Sequence, residues 1–426
     1  MLTRPDILKK WAPVLEAKDC NPIRNRFIAQ TVAQLLENTQ HTTKVERQLL
    51  REDAPTSVTG QVGKWDPILI SMVRRITPQL MHNDVVGVQP MNMPTGLVFA
   101  MRARYNNASG AEAFINEPNT GFTGATTDAD SDIELDPFAS PFGDPAQDGY
   151  TTGRGMATAT GEGDISAEMT FTIESSPVGV KTRQLKATYS LEMAQDLNAV
   201  HGMDADSEFV ALLQEELIQE LNREITRTLY IVAKPGMQAA ATPGTHALTA
   251  DSDGRWLVEK LKTLMLKIDF EANQIFFETR RGRGNKLIVS ANLGTALAQA
   301  GLLDYQGALT SQQGAMDVDP SKSTYVGKLN GMYDVHVDPW VNSVQFGVVG
   351  FRGDSPFDAG IFYCPYVPFQ LLRATDPKSF TPALGFKTRY GLVANPFVES
   401  SPGVSDGQAM TANINPYYRK FKVTGL

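Results

Sequence analysis

The sequence has few of the residues that most often mark a catalytic or metal centre. Its 426 residues include two cysteines and five histidines. Cys20 and Cys364 are too few for a disulfide framework or a thiolate metal site, and this usage favours a reducing intracellular origin. The histidines are His41, His82, His201, His246 and His336, which lie far apart along the chain. Their spacing predicts neither a metal site nor a cofactor site.

Common enzyme motifs are also missing. The chain contains no His-Glu-x-x-His and no Cys-x-x-Cys. Residues 280–286 (RRGRGNK) are rich in Gly and Arg, but they lack the spacing and the following Ser or Thr of a phosphate-binding loop. These absences predict a non-enzymatic assembly protein.

Long apolar runs are absent, and the charge is unevenly distributed. No apolar run approaches the length of about 18 residues that a membrane-spanning helix needs. The net charge is −8, yet residues 1–51 carry nine Lys/Arg against five Asp/Glu, a net of +4. Residues 111–176 carry thirteen Asp/Glu against Arg154 alone, a net of −12. The remaining 29 basic and 29 acidic residues balance, so the body lacks the basic face of a dedicated nucleic-acid reader.

The most strongly patterned stretch is 204–233, which predicts one long helix. Its apolar stripe is Phe209, Val210, Leu213, Leu217, Leu221, Ile225 and Leu229. Lys234-Pro235-Gly236 predicts the end of the helix. A helix of about 27 residues is roughly 40 Å long and needs a sheet or another helix along its stripe. The pairs expected on its solvent side are Glu220 with Arg223 and Glu224 with Arg227.

The N-terminal region predicts amphipathic helices on a basic arm. One helix is expected over 3–20, a second is opened by Asn21-Pro22, and a third short pattern runs through Leu50. Residues 53–66 are rich in Gly, Ser and Thr and predict an extended linker. Small helices of this kind need a partner surface.

A hairpin with a charged face is predicted next. A short helix at 72–80 carries Arg74 and Arg75, and 97–105 is a strand. Strands at 169–173 and 178–189 are expected to return and pair with it. On the 97–105 strand, Arg102 and Arg104 alternate with Met101 and Ala103, so one strand face is charged. That face is either solvated or an intersubunit contact.

Residues 106–166 form an acidic insert rich in Gly and Pro. Alternating carboxylates at Asp128, Asp130, Asp132, Glu134 and Asp136 suit a hard cation such as Ca²⁺. However, Ile133 and Ala139 stand where a calcium loop would need Gly and Glu. A solvated loop is therefore favoured, and a metal-dependent hydrolase using these carboxylates is the alternative from a different functional class.

The second half alternates helices and short strands. A helix is expected over 256–268, a buried strand at 286–290 and a helix capped by Asn292. Strands follow at 325–329, 333–337 and 344–351, which predicts a compact α/β domain over 235–358. Strand character returns at 360–397 and 413–423.

Several long stretches resemble the major capsid proteins of T-even-like tailed bacteriophages. They are MVRRITPQL (72–80), VVGVQPMNMPTGLVFAMRARY (85–105), KTRQLKATYSLEMAQDLNAVHGMDAD (181–206), KSTYVGKLNGMYDVHVD (322–338), GIFYCPYVPFQLLRATDPKSFTPALGFKTRYGLVANPF (360–397) and the YYRKFKV terminus. The resemblance covers nearly the whole chain except 106–166. It implies an α+β chain with the Hong Kong 97-type capsid fold, a homo-oligomeric shell and no catalytic role.

The resemblance also implies a domain division. Residues 1–52 would be a basic helical N-terminal segment and candidate propeptide, and residues 53–84 would be an N-terminal arm. An extended loop would span 85–190 and contain the insert 106–166. A peripheral domain that includes a spine helix would combine 191–234 with 359–426, and an axial domain would span 235–358. Where relatives carry a longer folded insertion, 106–166 is shorter and acidic. We expect a small surface feature there, such as a docking patch for a decoration protein.

Family members lose their N-terminal segment to a head-maturation protease that prefers Leu or Ile, any residue, then Glu. Leu50-Arg51-Glu52 matches this pattern just before the linker, which predicts scission between Glu52 and Asp53. Leu35-Leu36-Glu37 also matches but lies inside a predicted helix. Candidate intersubunit contacts are Arg74, Arg75, Arg102 and Arg104.

The implied partners are further copies of the chain in hexamers and possibly pentamers. Scaffolding protein, the maturation protease, portal, vertex and decoration proteins complete the implied head, which is icosahedral or prolate. It encloses double-stranded DNA without sequence-specific binding, contacts no membrane and assembles in the host bacterial cytoplasm. Two alternatives share the fold: the pentameric vertex paralogue and a cellular nanocompartment shell.

Overall fold

The computed structural model describes residues 4–15, 26–51, 82–114, 118, 122–124, 155–163, 165, 167–202, 205–237, 240, 242–249, 256–301, 303–305, 325–341, 344–355, 357–375, 381–398 and 410–425. These residues form eight helices and fourteen strands, and the strands lie in three sheets. The predicted α+β class is confirmed. None of the described helices is long and apolar enough to cross a membrane.

The helices are α1 (Arg4–Leu15), α2 (Arg26–Arg51), α3 (His82–Val85), α4 (Thr158–Gly161), α5 (Leu191–His201), α6 (Ala205–Val232), α7 (Leu257–Thr279) and α8 (Ala291–Gln299). The strands are β1 (Gly87–Val88), β2 (Thr95–Tyr105), β3 (Met169–Gly179), β4 (Lys181–Thr188), β5 (Ala233–Pro235), β6 (Thr245–Ala247), β7 (Lys286–Ser290), β8 (Leu303–Tyr305), β9 (Tyr325–Leu329), β10 (Tyr333–Asp338), β11 (Gln345–Gly350), β12 (Ile361–Thr375), β13 (Pro382–Ala394) and β14 (Asn415–Thr424).

The long helix is α6, and its predicted apolar stripe is buried. Leu217, Leu221 and Leu229 are each 1% exposed, because α6 packs against β4, β13 and β14. The predicted charge pairs along its solvent side are wrong. Glu220 and Glu224 instead bind Arg183 of β4, and Arg223 binds Asp338 of β10. These charges meet partners on the neighbouring sheets, which sequence spacing cannot indicate.

The largest sheet has eight strands in the order β5-β14-β11-β7-β10-β9-β8, and β6 also pairs with β14. Four of the five residues of β7 are buried, as expected for a central strand covered by α8. The residue that precedes α8 as N-cap is Ser290 rather than the predicted Asn292. The terminal strand β14 pairs with β11 inside this sheet, although its sequence position follows β12 and β13.

The second sheet has four strands in the order β1-β12-β13-β4. Its long antiparallel pair β12–β13 runs from Ile361↔Ala394 to Thr375↔Pro382. One hydrophobic core contains residues of α6, of this sheet and of the eight-stranded sheet. Helix α6 is therefore the element on which both larger sheets are packed.

A two-stranded ribbon, β2–β3, forms the third sheet. The antiparallel pairing is unbroken from Thr95↔Gly179 to Tyr105↔Met169. The prediction that 178–189 also pairs with this ribbon holds only for Val178 and Gly179 and is wrong for the rest, because β4 pairs with β13 from Lys181↔Tyr390 onward. The chain thus passes from the ribbon directly into the four-stranded sheet.

The N-terminal helices form a separate helical hairpin. Helix α2 is continuous from Arg26 to Arg51, so the prediction of a third short helix is wrong. Helices α1 and α2 share a small core of Ile7, Trp11, Leu15, Val32, Ala33, Leu35 and Leu36. Because this core is distinct from the main one, the hairpin is a packing unit of its own.

Candidate assembly surfaces

The ribbon exposes one apolar face. Alternation along β2 and β3 directs six large side chains to the same side, and each is at least 49% exposed. They are Leu97, Phe99, Met101, Met169, Phe171 and Ile173. We call this set the ribbon face. A continuous apolar face on an extended ribbon is unusual for a monomer and marks an interaction surface.

The opposite face of the ribbon holds the charged residues predicted from sequence. The guanidinium of Arg102 pairs with Glu112 at 2.9 Å and with Glu174 at 3.0 Å. It also donates to the Pro396 carbonyl at 3.1 Å and lies 5.3 Å from the ring centre of Phe397. Arg102 therefore ties the ribbon to the segment after β13.

Arg104 is engaged in the same cluster. It pairs with Glu174 at 3.5 Å and donates to the Gly110 carbonyl at 3.0 Å. Both arginines thus neutralise carboxylates of the acidic 111–176 stretch within one chain, and their role between subunits stays a prediction. The sequence indicates the charged face as the candidate intersubunit contact, whereas the structure exposes the apolar face. The period-two alternation of Leu97, Phe99 and Met101 was the available signal.

Helix α7 exposes further large apolar residues. Leu266, Phe270 and Phe277 lie on its outer side and are each about half exposed, and Trp256 just before the helix is 84% exposed. Phe270 and Phe277 line a groove of 440 Å³ whose floor includes Glu271. This surface is a second place where apolar area remains uncovered in the single chain.

Helix α5 has no buried residue at all. The Ser190 hydroxyl accepts a hydrogen bond from the Met193 N–H at 3.2 Å at its start, and Gly202, with φ of 65°, ends it in the left-handed conformation. Its Leu191 and Val200 side chains are exposed. Helix α5 is therefore capped at both ends but buries no side chain within the described chain. Because helices are stabilised mostly by packing of an apolar face, its exposed apolar residues are a further candidate contact with a partner.

Buried charged groups link elements within the chain. Arg419 of β14 pairs with Glu271 of α7 at 2.9 Å and with Glu278, and the Met237 N–H donates to Glu271 at 2.6 Å. Burial and the hydrogen bond to Glu224 raise the pKa of Tyr390. Such paired and hydrogen-bonded charges orient structural elements.

Groups with catalytic potential do not converge in the described residues. Among them, no three His, Cys, Asp or Glu side chains are placed to hold a metal ion. Burial raises the pKa of the Cys364 thiol to about 12, so it is not a thiolate nucleophile at neutral pH. His201 is the last residue of α5.

Other candidate residues lie outside the described residues. These are the carboxylates from Asp128 to Asp136, the predicted cleavage residues Glu52 and Asp53, and Arg74 and Arg75. A Gly-x-Ser-x-Gly match at 403–407 (GVSDG) also lies outside them. It falls between β13 and β14 in the sequence.

Comparison with known proteins shows which family, relatives and solved structures this chain resembles. Residues 62–423 match the family described as "Major capsid protein Gp23". The major capsid protein of Salmonella phage ViI is 35% identical over 100% of this chain and 99% of its own length. That of Enterobacteria phage T4 is 32% identical over 100% of this chain and 99% of its own length. Among solved structures, the capsid of Myoviridae phage XM1 aligns with a TM-score of 0.43 and 8% identity, covering 79% of this chain and 89% of that one.

Proposed function

This chain belongs to the family of Gp23 major capsid proteins, from which we infer that it is the head-shell protein of a tailed bacteriophage. Its place is the virion capsid, and its role is structural. The pentameric vertex paralogue is not favoured, because the family match and both of these full-length relatives are major capsid proteins. A cellular nanocompartment shell is not favoured for the same reason.

The ribbon face carries the proposal for how copies associate. Burial of a large apolar side chain contributes about 1.5–3 kcal/mol, so covering several of these six residues gives a strong driving force. A ribbon on one copy that packs onto a different surface of the next makes a heterologous contact, which closes into rings. Hexamers and pentamers are the rings that a closed icosahedral or prolate shell requires.

We propose that the parts of the Hong Kong 97-type fold correspond to described elements. The ribbon is the extended loop within 85–190, α6 is the spine helix of a peripheral domain (191–234 and 359–426), and α7, α8 and their strands form the axial domain (235–358). Pairing of β14 with β11 supports one change to this division, which moves 415–424 from the peripheral domain to the axial sheet. Residues 53–84 would be the N-terminal arm.

Cleavage between Glu52 and Asp53 is a further part of the proposal. The alternative match at Leu35-Leu36-Glu37 lies in mid-helix, where Leu36 is fully buried, so a protease has poor access to it. Residues 1–52 carry nine Lys/Arg and six Asp/Glu, a net of +3. Their removal changes the net charge from −8 to −11 and increases repulsion of DNA phosphates.

The remaining partners follow from this role. A shell of this type needs a scaffolding protein, a maturation protease, a portal and vertex proteins, and it encloses double-stranded DNA without reading sequence. Decoration proteins would bind outside, for which the acidic 106–166 insert is a candidate surface. Arg74, Arg75, Arg102 and Arg104 remain candidate intersubunit contacts, and assembly is proposed to take place in the host cytoplasm.

Substitution on the ribbon face tests the association. Phe171→Glu places a charge on an exposed position, so the subunit should fold normally and fail to assemble. Phe171→Leu keeps an apolar side chain and is the matched control. With the other head proteins co-expressed, sedimentation should show closed particles for the parent and Phe171→Leu chains only. Normal particles of Phe171→Glu would refute a role for the ribbon face.

A further inference from the structure

Two guanidinium groups from different parts of the chain meet at one aromatic side chain. The centre of the Phe397 ring lies 5.3 Å from the guanidinium carbon of Arg102 and 5.3 Å from that of Arg281. Arg102 belongs to the ribbon, Arg281 follows α7, and Phe397 follows β13. A cation over the face of an aromatic ring is attracted by the negative charge density of that face. These three residues, which we call the Phe397 joint, therefore link the ribbon to the body of the subunit.

The position of Phe397 is fixed by the turn that precedes it. Asn395 is 4% exposed, and its amide nitrogen donates to the Ala359 carbonyl at 2.8 Å. Its amide oxygen accepts from the Phe397 N–H at 3.0 Å, and its backbone N–H donates to the Gly360 carbonyl at 3.0 Å. An asparagine that bonds the backbone two residues on holds the turn in one conformation. Phe397 therefore offers Arg102 a contact at a defined place.

The charges of the joint are balanced by carboxylates close by. Arg102 pairs with Glu112 at 2.9 Å, and Arg281 pairs with Asp358 at 3.5 Å. Burial raises the pKa of Tyr417 in β14 to about 12, and all four of these charged groups act on it. The two arginines lower this pKa and the two carboxylates raise it. Charged groups of the ribbon and of the body thus meet at one place.

The joint holds the ribbon at a second point, away from its root. At the root, the Val180 N–H donates to the Pro94 carbonyl at 3.2 Å, and strand pairing begins at Thr95↔Gly179. Arg102 lies further along β2, about 23 Å from Thr95 at the rise of an extended strand. An isolated two-stranded ribbon is marginally stable, so attachment at the root alone would let it pivot. Attachment at two separated points fixes its direction.

We propose that Phe397 is a positioning residue for assembly, which together with Arg102 and Arg281 fixes the direction in which the ribbon leaves the subunit and thereby sets how many copies close a subunit ring. The inference rests on the proposed function. Its support is the contact of one aromatic side chain with two arginines from different elements, the defined turn at Asn395 and the distance of the joint from the ribbon root.

Ring closure makes the direction of the ribbon important. In a heterologous contact, the rotation between neighbours depends on the angle between the two surfaces that meet. The ribbon face is one of these surfaces, and Arg102 lies on the opposite side of the ribbon. A pentamer needs a larger rotation per copy than a hexamer, so a ribbon that pivots permits both. A ribbon held by the joint favours one of them.

Three variants test the joint. Phe397→Leu keeps an apolar side chain and removes the aromatic face. Tyr366→Leu is the matched control, because the Tyr366 ring centre lies 5.4 Å from the guanidinium of Arg389 and both residues belong to the four-stranded sheet. Arg281→Met removes one cation of the joint at a side chain that is 46% exposed, so this chain should fold normally.

The first measurement is the distance between two spin labels in free subunits, by double electron–electron resonance. Ala108→Cys places one label in the exposed turn after β2, and Arg227→Cys places the other on the exposed side of α6. Cys20→Ser removes one native thiol, and Cys364 is 2% exposed and stays unlabelled.

A narrow distribution of distances is expected for the parent chain and for Tyr366→Leu. Phe397→Leu should widen the distribution about twofold or more, because the ribbon then pivots about its root. Arg281→Met should widen it less. An unchanged distribution in Phe397→Leu would overturn the proposal. Where thermal unfolding shows that Phe397→Leu does not fold, the result for Arg281→Met decides by the same criterion.

Assembled particles test the consequence for the subunit rings. With the other head proteins co-expressed, electron microscopy should show closed particles of one size for the parent and Tyr366→Leu chains. Phe397→Leu should give particles of mixed size and open sheets. A widened distribution with normal particles would overturn the link between ribbon direction and ring closure. Failure of the parent chain to form particles would instead count against the proposed function.

Discussion

Arg223 and Glu224 are adjacent on α6, yet their side chains bind two different sheets. Arg223 pairs at 2.6 Å with Asp338 of β10, in the eight-stranded sheet. Glu224 pairs at 2.6 Å with Arg183 of β4 and accepts from the Tyr390 hydroxyl of β13, both in the four-stranded sheet. One peptide unit of the helix therefore fixes the relative position of both sheets by directional contacts.

Removal of Arg223 should be costly because Asp338 is 4% exposed. Arg223→Met keeps the aliphatic length and, among the described residues, leaves the carboxylate with only the Tyr230 hydroxyl and the Trp340 N–H as donors. We expect a loss of about 2–3 kcal/mol in the free energy of unfolding, measured by urea denaturation.

Arg227→Met is the matched control for this prediction, since Arg227 is exposed one turn further along α6. It should change stability by less than about 0.5 kcal/mol. Adding Asp338→Leu to Arg223→Met should recover part of the loss, because no unpaired charge then remains buried. Equal effects of Arg223→Met and Arg227→Met would contradict the prediction.

His336 should make stability depend on pH. Burial lowers its pKa from 6.5 to about 4, an effect that nearby Lys286 reinforces and Asp84 and Asp334 oppose. Because the folded-state pKa is the lower one, the unfolded chain binds more protons between these values. The stability contribution is therefore complete above pH 6.5 and is lost as pH falls toward 4, by about 3 kcal/mol.

His336→Gln removes this titration. The difference in unfolding free energy between the parent chain and the variant should change by that amount between pH 7 and pH 4. A constant difference over this range would show that His336 is not the responsible group.

Gly347 lies directly opposite Phe421 in the β11–β14 pair. A Cβ at position 347 would come within 2.4 Å of the Phe421 ring. Gly347→Ala should therefore destabilise the chain by about 1–3 kcal/mol through overpacking of the eight-stranded sheet. Gly385→Ala in β13 is the control, since the nearest atom there is 3.7 Å away. Thermal unfolding should show a clear loss for the first variant only.

Maturation is tested by the intact mass of the chain recovered from closed particles. We expect a mass corresponding to residues 53–426, because Leu50-Arg51-Glu52 matches the cleavage pattern at the end of α2. A mass of 46.6 kDa in closed particles would remove the cleavage and keep the shell role. Glu52→Gln should abolish any shortening, and Glu37→Gln should leave it unchanged.

Strongly periodic elements could be predicted from sequence. Helix α6 and strand β7 were predicted to within two residues, because their apolar residues follow the helical and buried-strand patterns. The pairing of β4 with β13 could not, because a sequence does not state which distant strand a segment joins. The partners of Arg223 and Glu224 were missed for the same reason.

The sequence predicts that the candidate surface lies on the hairpin, but it does not predict which face of the hairpin is exposed. The hairpin within 85–190 was expected, and β2–β3 forms it. Arg102 and Arg104 are candidate intersubunit contacts because they are charged residues on an extended strand. In the structure they pair with Glu112 and Glu174 of the same chain. Which of two strand faces stays uncovered depends on the segments packed against it, here including Pro396.

The position of β14 determines when a newly synthesised subunit can complete its eight-stranded sheet. Strand β14 lies between β5 and β11 in the eight-stranded sheet, but it leaves the ribosome after every other described strand. Translation proceeds at about 5–20 residues per second, so β11 and β5 wait for seconds before their neighbour exists. The sheet is therefore completed after synthesis of the strands around it, and the edges of β5 and β11 that face β14 stay unpaired until then.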